Sequence, residues 1–429
     1  MTSKRPIMTL CVFSASLLLG GCGGGGSPSA GGSTPTPTPI STPTPTPTSQ
    51  VVWKVALPPA QSANLLSMIT TGSTVFGAGV KANASATGTD AYAASLTDNG
   101  TSATAGTPTS LSETSDITGM LLLNPTTAFA VGSDIPAGST AALPTAFTLN
   151  PSTGAFLSVK PFSCASGTAL APVLANAIDA TAVAQDGTII YVALTLRGDV
   201  PQIVKTDLAG NLDCTQTAIR VAQGNTNGTI HSVVVTSTAL VLGGEFLGAG
   251  NVPQGFLIIL DKTTGVQTFA VVIGNTPTNG VVVDSTGSIY VGGTQKTTEP
   301  NSWIIQKFNP PFTAANSGAV WAKFGIPPAQ NPNADTLVAL LANPVGGVIA
   351  VGQTTPAGHA PNDVQTSVAV LDATTGTTTK AVLVNVFPGD QEHPGSAALG
   401  PNNTVYVGGE KFTPPGSNFG AWVSKITLQ

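Results

Sequence analysis

Seven polar residues stand at a similar distance ahead of seven short Gly-containing apolar motifs: Asn64, Asp116, Asp179, His231, Asn279, Asp335 and His393 lie 13 to 17 residues before the last position of their motifs. Carboxylates and imidazoles brought to one point could hold a divalent cation such as calcium, or orient a small polar ligand. Asp116, Asp179, His231, Asp335 and His393 are therefore the candidate ligand or metal residues. The same side chains suit a second task, hydrogen bonding to the backbone of a neighbouring repeat, and that structural task is the reading with the greater weight. No cofactor other than such a cation is implied.

Catalytic arrangements are sparse. The chain has three histidines, His231, His359 and His393, and it lacks a Gly-x-Ser-x-Gly elbow, a His pair at helical spacing and a phosphate-binding Gly loop with Lys. Glu245, Glu299, Glu392 and Glu410 lie near loops and could include a glycosidase-type pair, although solvated loop carboxylates need no such role. No catalytic residue is assigned on this basis. Cys164 and Cys214 each fall beside an outer strand of adjacent repeats, Cys214 being expected to begin its strand, and in an exported chain they would form a disulfide or remain separate thiols.

Export is indicated by the first residues. Lys4 and Arg5 precede an apolar run from Ile7 to Leu19, which is of signal-peptide length and too short for a stable bilayer span. It ends Leu19-Gly20-Gly21-Cys22, which resembles the lipobox of bacterial lipoproteins. That resemblance implies removal of residues 1–21 and a diacylglyceryl group on Cys22, with Gly23 in place of Asp implying the outer membrane, periplasmic or surface-facing. Several acyl chains would hold the protein permanently at the lipid. Residues 22–50 then read as a linker, Gly/Ser-rich and afterwards alternating Thr-Pro from Thr34 to Thr48, where Pro at every second position favours an extended, semi-rigid chain. At about 3 Å per residue it would reach on the order of 80 Å.

Only 8% of residues are charged, against 49 Gly and 34 Pro, which suits a turn-rich β protein and argues against long charged helices. Loss of Lys4 and Arg5 from 15 basic residues leaves 13 against 20 acidic ones, a net charge of −7. Nothing here attracts nucleic acid or anionic lipid.

The stretch Val281 to Asn309 shows the organising unit. An apolar run, the turn Asp284-Ser285-Thr286-Gly287, the strand ending Tyr290-Val291-Gly292-Gly293 and the strand Trp303 to Phe308 form a hairpin meander. Motifs like Tyr290 to Gly293 end at Gly79, Gly132, Leu194, Gly244, Gly293, Gly352 and Gly409, spaced 53, 62, 50, 49, 59 and 57 residues apart, the period of a four-stranded unit with variable loops. The last copy stops after its third strand. Its fourth is expected from the other end of the domain, Val51 to Leu57, where Trp53 takes the place of Trp321.

This pattern resembles the bacterial seven-bladed β-propeller repeat family over residues 51 to 429, best at Asp284 to Gly293 with Lys307 and next at Asn403 to Gly409 with Lys425. The resemblance implies an all-β, seven-bladed β-propeller of four-stranded blades, closed by pairing 51–57 with the C-terminal blade. A parallel β-helix is the competing fold, but it predicts shorter repeats and no exchange of terminal strands. The expected function is a monomeric, membrane-anchored envelope module that binds or scaffolds protein or glycan through loops 81–90, 133–145, 294–302 and 353–366. A polysaccharide hydrolase or lyase with its site at the channel mouth is the alternative, and an envelope-assembly factor a third reading.

Overall fold

A computed structural model describes residues 51–428 except 59–61, 84–87, 112–113, 137–138, 140, 222–226, 296–301, 325–334, 356–362 and 414–418. Cys22, Glu299 and His359 lie outside the described residues, as do the signal segment and the linker. The unit that holds the described residues spans Pro47–Gln429, separate from Met1–Thr46.

Seven antiparallel sheets follow one another along the chain. Their innermost strands are Ala63–Thr71, Thr114–Asn124, Ala177–Asp186, Gly228–Val235, Thr278–Val283, Thr336–Ala342 and Gln391–Leu399, and each packs against the next, the last against the first. The fold is thus the seven-bladed β-propeller implied by the repeat. In the seventh blade Thr404–Phe412 and Phe419–Thr427 complete three strands, and Val51–Ala56 supplies the outer one. Trp53 stands opposite Lys425 and Trp321 opposite Lys307, so the N-terminal strand occupies the position that the repeat requires.

Apolar residues do not gather in one central core. Seven buried clusters form instead, one at each junction between blades: Phe129, Val131, Leu170 and Ile190 between blades 2 and 3, for example, and Trp303, Leu337 and Leu340 between blades 5 and 6. Both faces of every radial sheet are therefore buried, which explains continuous runs such as Val281-Val282-Val283 in place of strict alternation. Stability is in consequence close to a sum of neighbour terms, with closure removing the two unpaired ends.

Every innermost strand carries a β-bulge at the same height. The extra residue is Leu66, Thr118, Thr181, His231, Asn279, Val338 or Gly395 in blades 1 to 7. The bulge kinks the strand and drives the carbonyl two residues earlier toward the second strand. This accounts for the glycine that ends the repeat motif. A β-carbon on Gly79, Gly132, Gly244, Gly293, Gly352 or Gly409 would lie 2.0 to 2.1 Å from that carbonyl oxygen, a full overlap with backbone. Blade 3 is the exception: Leu194 replaces the glycine, and the strand opposite it carries an additional register shift between Ala177 and Asp179.

Substituting Gly409→Ala should therefore destabilise the fold by about 1–3 kcal/mol, the usual cost of forcing an extra carbon into a closed site. Thermal denaturation checks this. An unchanged midpoint would mean that the bulge adjusts freely.

Candidate functional site

The bulges fix where the candidate residues stand, and they do not form one equivalent ring. Asn64, Asp116, Asp179 and His393 lie two positions before the extra residue, His231 and Asn279 are the extra residue itself, and Asp335 lies three before it. The variable spacing of 13 to 17 residues reflects this difference of register.

Their contacts lie with the protein. The Asp116 carboxylate accepts from the amide and hydroxyl of Ser133 in its own blade, at 2.7 and 2.8 Å. Asp179 is buried opposite Thr195. Asn279 donates its side-chain amide to the Leu337 carbonyl of the next blade. Asp335 is buried and accepts the Thr354 hydroxyl; desolvation pushes its carboxyl up to about 6, the hydroxyl opposing this only in part. His393 is half-buried with Nδ1 3.3 Å from Oε1 of Gln353 in blade 6, and desolvation lowers its imidazole from the usual value. Among the described residues no group of three or more His, Cys, Asp or Glu side chains lies close enough to hold a metal ion.

The bulge residues have a second role that motif spacing does not reveal. Thr118 donates to the Ala180 carbonyl at 2.6 Å, Thr181 to Ile230 at 2.7 Å, and Asn279 to Leu337; each acceptor immediately precedes the bulge of the following blade. Ser396, one residue beyond its bulge, does the same to Leu65 at 2.9 Å, and so joins blade 7 to blade 1. The position after the bulge is Ser67, Gly119, Ala182, Ser232, Gly280, Ala339 or Ser396, small in every blade. A β-carbon on Gly119 would already lie 3.3 Å from the Ala182 Cα, so the neighbouring strands leave no room for more. Polar or small residues at this height tie the ring together.

The glutamates separate in the same way. Glu245 and Glu410 both follow their motif glycines, Gly244 and Gly409. Glu245 Oε1 lies 3.6 Å from His231 Nε2, with each side chain about a third exposed at 32% and 34%. Glu410 stands across the strand pair from His393, and desolvation raises its carboxyl. Glu392 is 0% exposed and accepts from the Thr366 hydroxyl at 3.1 Å and from the Phe387 amide. Burial drives its carboxyl up to about 7, these donors only partly countering it. A carboxylate sealed between blades 6 and 7 cannot meet a polysaccharide, so the glycosidase-type pairing has no support at Glu392.

Cys164 and Cys214 are joined in a disulfide, with Cα atoms 5.7 Å apart. Cys214 does not begin an outer strand as expected. The outer strand of blade 3 is only Ile219–Arg220, and Cys214 lies in the segment before it, where Asp207 and Asp213 form side-chain-capped turns. The disulfide holds this weakly laddered segment to blade 2, together with a hydrogen bond from Lys160 to Asn211.

Strand alternation sorts the connections into two faces. Loops 81–90, 133–145, 294–302 and 353–366 all join second to third strands, and they leave on the face where the innermost strands begin. Val51 enters at the opposite face, opposite Ile426 near the end of the third strand of blade 7. On the described surface no tyrosine is exposed, Trp53, Trp303 and Trp422 are buried, and Trp321 is half-buried.

No protein-family model and no curated protein sequence matches the chain. Among solved structures it is similar to the WD40 beta propeller domain of Doa1, with a TM-score of 0.52, 7% identity, and coverage of 89% of this chain and 97% of that one. It is also similar to Chaetomium thermophilum Sqt1 bound to the N-terminus of the ribosomal protein L10, with a TM-score of 0.46, 11% identity, and coverage of 89% and 91%. At such identity the first likeness shows a shared propeller fold.

Two outcomes test the site's chemistry. For Glu392 and Asp335 the folded pKa is raised above the unfolded value, so ionisation works against the fold. Their stabilising contribution is complete below the unfolded values of 4.5 and 3.8 and is lost as pH rises through about 7 and about 6. Glu392→Gln should flatten the decline in chemical-denaturation stability across this window by on the order of 3 kcal/mol. A parallel decline in both proteins would remove Glu392 from the account. Separately, Cys164→Ser with Cys214→Ser should cost about 2–4 kcal/mol, read as a lowered thermal midpoint that reductant no longer changes.

Proposed function

We propose that this protein is a non-catalytic binding module, held at the outer membrane through lipid on Cys22, that engages a protein partner with the loop face of its propeller. The observation carrying this reading is the segregation of loops 81–90, 133–145, 294–302 and 353–366 onto one face while the chain enters at the other. Chain entry at Val51 on the opposite face leaves the loop face clear of the entering strand. Propellers use such loop faces for contact because the frame beneath them does not depend on loop sequence.

Protein is preferred to glycan on chemical grounds. Sugar rings are commonly held by stacking on exposed aromatic faces, and the tryptophans and tyrosines of the described surface are committed to blade junctions. The loops offer Thr, Ser, Asn, Gly and Pro, which form hydrogen bonds to peptide groups at low cost in desolvation.

Full-length protein in detergent should retain a specific envelope protein, and replacing the connections between the strands, 136–142 or 356–363, by Gly/Ser chains should abolish retention. Substitutions in the opposite turns, such as Thr263→Ala with Thr374→Ala, should leave it intact. Cys22→Ala should release the protein from the membrane fraction. Retention governed by the turn face, or release of shortened polysaccharide on incubation, would overturn the reading.

A further inference from the structure

Three Asn-Gly pairs occur in the described chain: Asn99-Gly100, Asn227-Gly228 and Asn279-Gly280. Their surroundings differ. Gly280 is paired with Gly292 inside blade 5, and the Asn279 side-chain amide is held by the Leu337 carbonyl. Gly228 is buried, paired opposite Phe246, and packed against Pro201. Asn99 and Gly100 form an exposed turn after the last residue of the third strand of blade 1, where the Asn99 main-chain amide donates to the Ser102 carbonyl at 2.9 Å and its side-chain amide to the exposed Thr104 hydroxyl at 3.1 Å. Gly100 has φ +88°, a backbone that residues other than Gly rarely adopt, with open space where a β-carbon would be. Its amide donates to Asp98 Oδ1 at 2.9 Å, so a carboxylate is already placed to accept that proton.

We propose that Asn99 is a site of spontaneous deamidation and that the reaction loosens the closure of the ring. The Gly100 nitrogen bonds to Asn99 Cγ, the Cγ–Nδ2 bond breaks, and ammonia leaves with the proton released from the Gly100 amide. Water then opens the cyclic imide, at Cγ to give aspartate or at the main-chain carbonyl to give isoaspartate. No other reactant is required.

The position gives the chemistry its consequence. The adjoining Asp98 accepts from Trp53 at 2.9 Å, Lys425 at 2.8 Å and Tyr406 at 2.5 Å, all from blade 7, and Lys425 also donates to the Gly100 carbonyl at 3.2 Å. A new carboxylate beside Asp98 adds like charge to this buried cluster. Isoaspartate also lengthens the main chain before Gly100 and moves the carbonyl that Lys425 reaches.

The test is incubation of the folded, full-length protein at mildly alkaline pH, with peptide mapping by mass spectrometry over time. Conversion at Asn99 should run roughly tenfold or more ahead of Asn227 and Asn279, whose glycines are fixed within paired strands. The aged protein should show a lowered thermal midpoint, Asn99→Asp should reproduce part of that loss without ageing, and Asn99→Gln should remove the age-dependent fall. Conversion led by Asn227 or Asn279, or an aged midpoint unchanged despite conversion at Asn99, would overturn the proposal.

Discussion

Seven innermost strands must fit around one axis, and the distance at which they can do so governs the rest of the molecule. Twisted sheets standing radially crowd at their inner edges and spread at their outer ones. The crowding is met by small residues one position beyond each bulge, from Ser67 through Gly119 and Ala182 to Ser396, and by glycines that let a carbonyl press on the second strand. Side-chain donors from Thr118, Thr181, Asn279 and Ser396 then convert close approach into hydrogen bonds from blade to blade. A larger residue at these points would widen the axis and open all seven apolar junctions in turn.

The chain is discontinuous inside blade 7, between Phe419–Thr427 and its outer strand Val51–Ala56, and side-chain chemistry reinforces the ring where that strand leads on to blade 1. Between blades 5 and 6, Lys307 and Trp321 both donate to one backbone carbonyl, that of Ala373. In the corresponding place between blades 7 and 1, Lys425 and Trp53 meet the Asp98 carboxylate, joined by Tyr406. Desolvation alone would raise the Asp98 carboxyl, but donors from Lys425, Tyr406, Trp53 and the Gly100 amide hold it below the usual carboxylate value. Such a group stabilises the fold while ionised, fully so above its unfolded value, and loses that effect as pH falls through the lower folded one. The two junctions use the same kinds of donor, and the one whose outer strand comes from the other end of the domain has the charged acceptor, where hydrogen bonds are stronger.

Much of this frame was legible in the sequence because the repeat encodes it directly. Tyr290 to Gly293 and its copies marked the second strands, and Trp53 in the place of Trp321 revealed the exchanged outer strand. The Cys164–Cys214 pairing was open to sequence reasoning because both lie at the rims of adjacent blades, whereas the reduction of the third outer strand to Ile219–Arg220 was not, since turns capped by Asp207 and Asp213 replace the ladder there. The polar ring was misaligned for a specific reason. One extra residue shifts a strand's register, and no residue type is reserved for the bulge: Leu66, Thr118, His231 and Gly395 all occupy it. The small residue that follows was the better signal, since sterics at the axis restrict it in every blade.

The distribution of charge bears on how such a molecule could recognise a partner. Charged side chains are few, at 8% of residues, and several are spent inside: Asp90, Asp134, Asp179, Lys307, Asp335, Glu392 and Lys425 are all buried. The loop connections keep only a few charges, such as Lys296, Glu299 and Asp363, among neutral polar side chains and prolines. A surface of this kind exerts little long-range attraction, so encounter is not accelerated by electrostatic steering and depends only weakly on salt. Selectivity must then come from shape and short-range hydrogen bonding, which demand a rigid support. The small residues and bulges at the axis supply that rigidity, and they do so without drawing on the loops, which are free to differ from blade to blade while the ring beneath them stays the same.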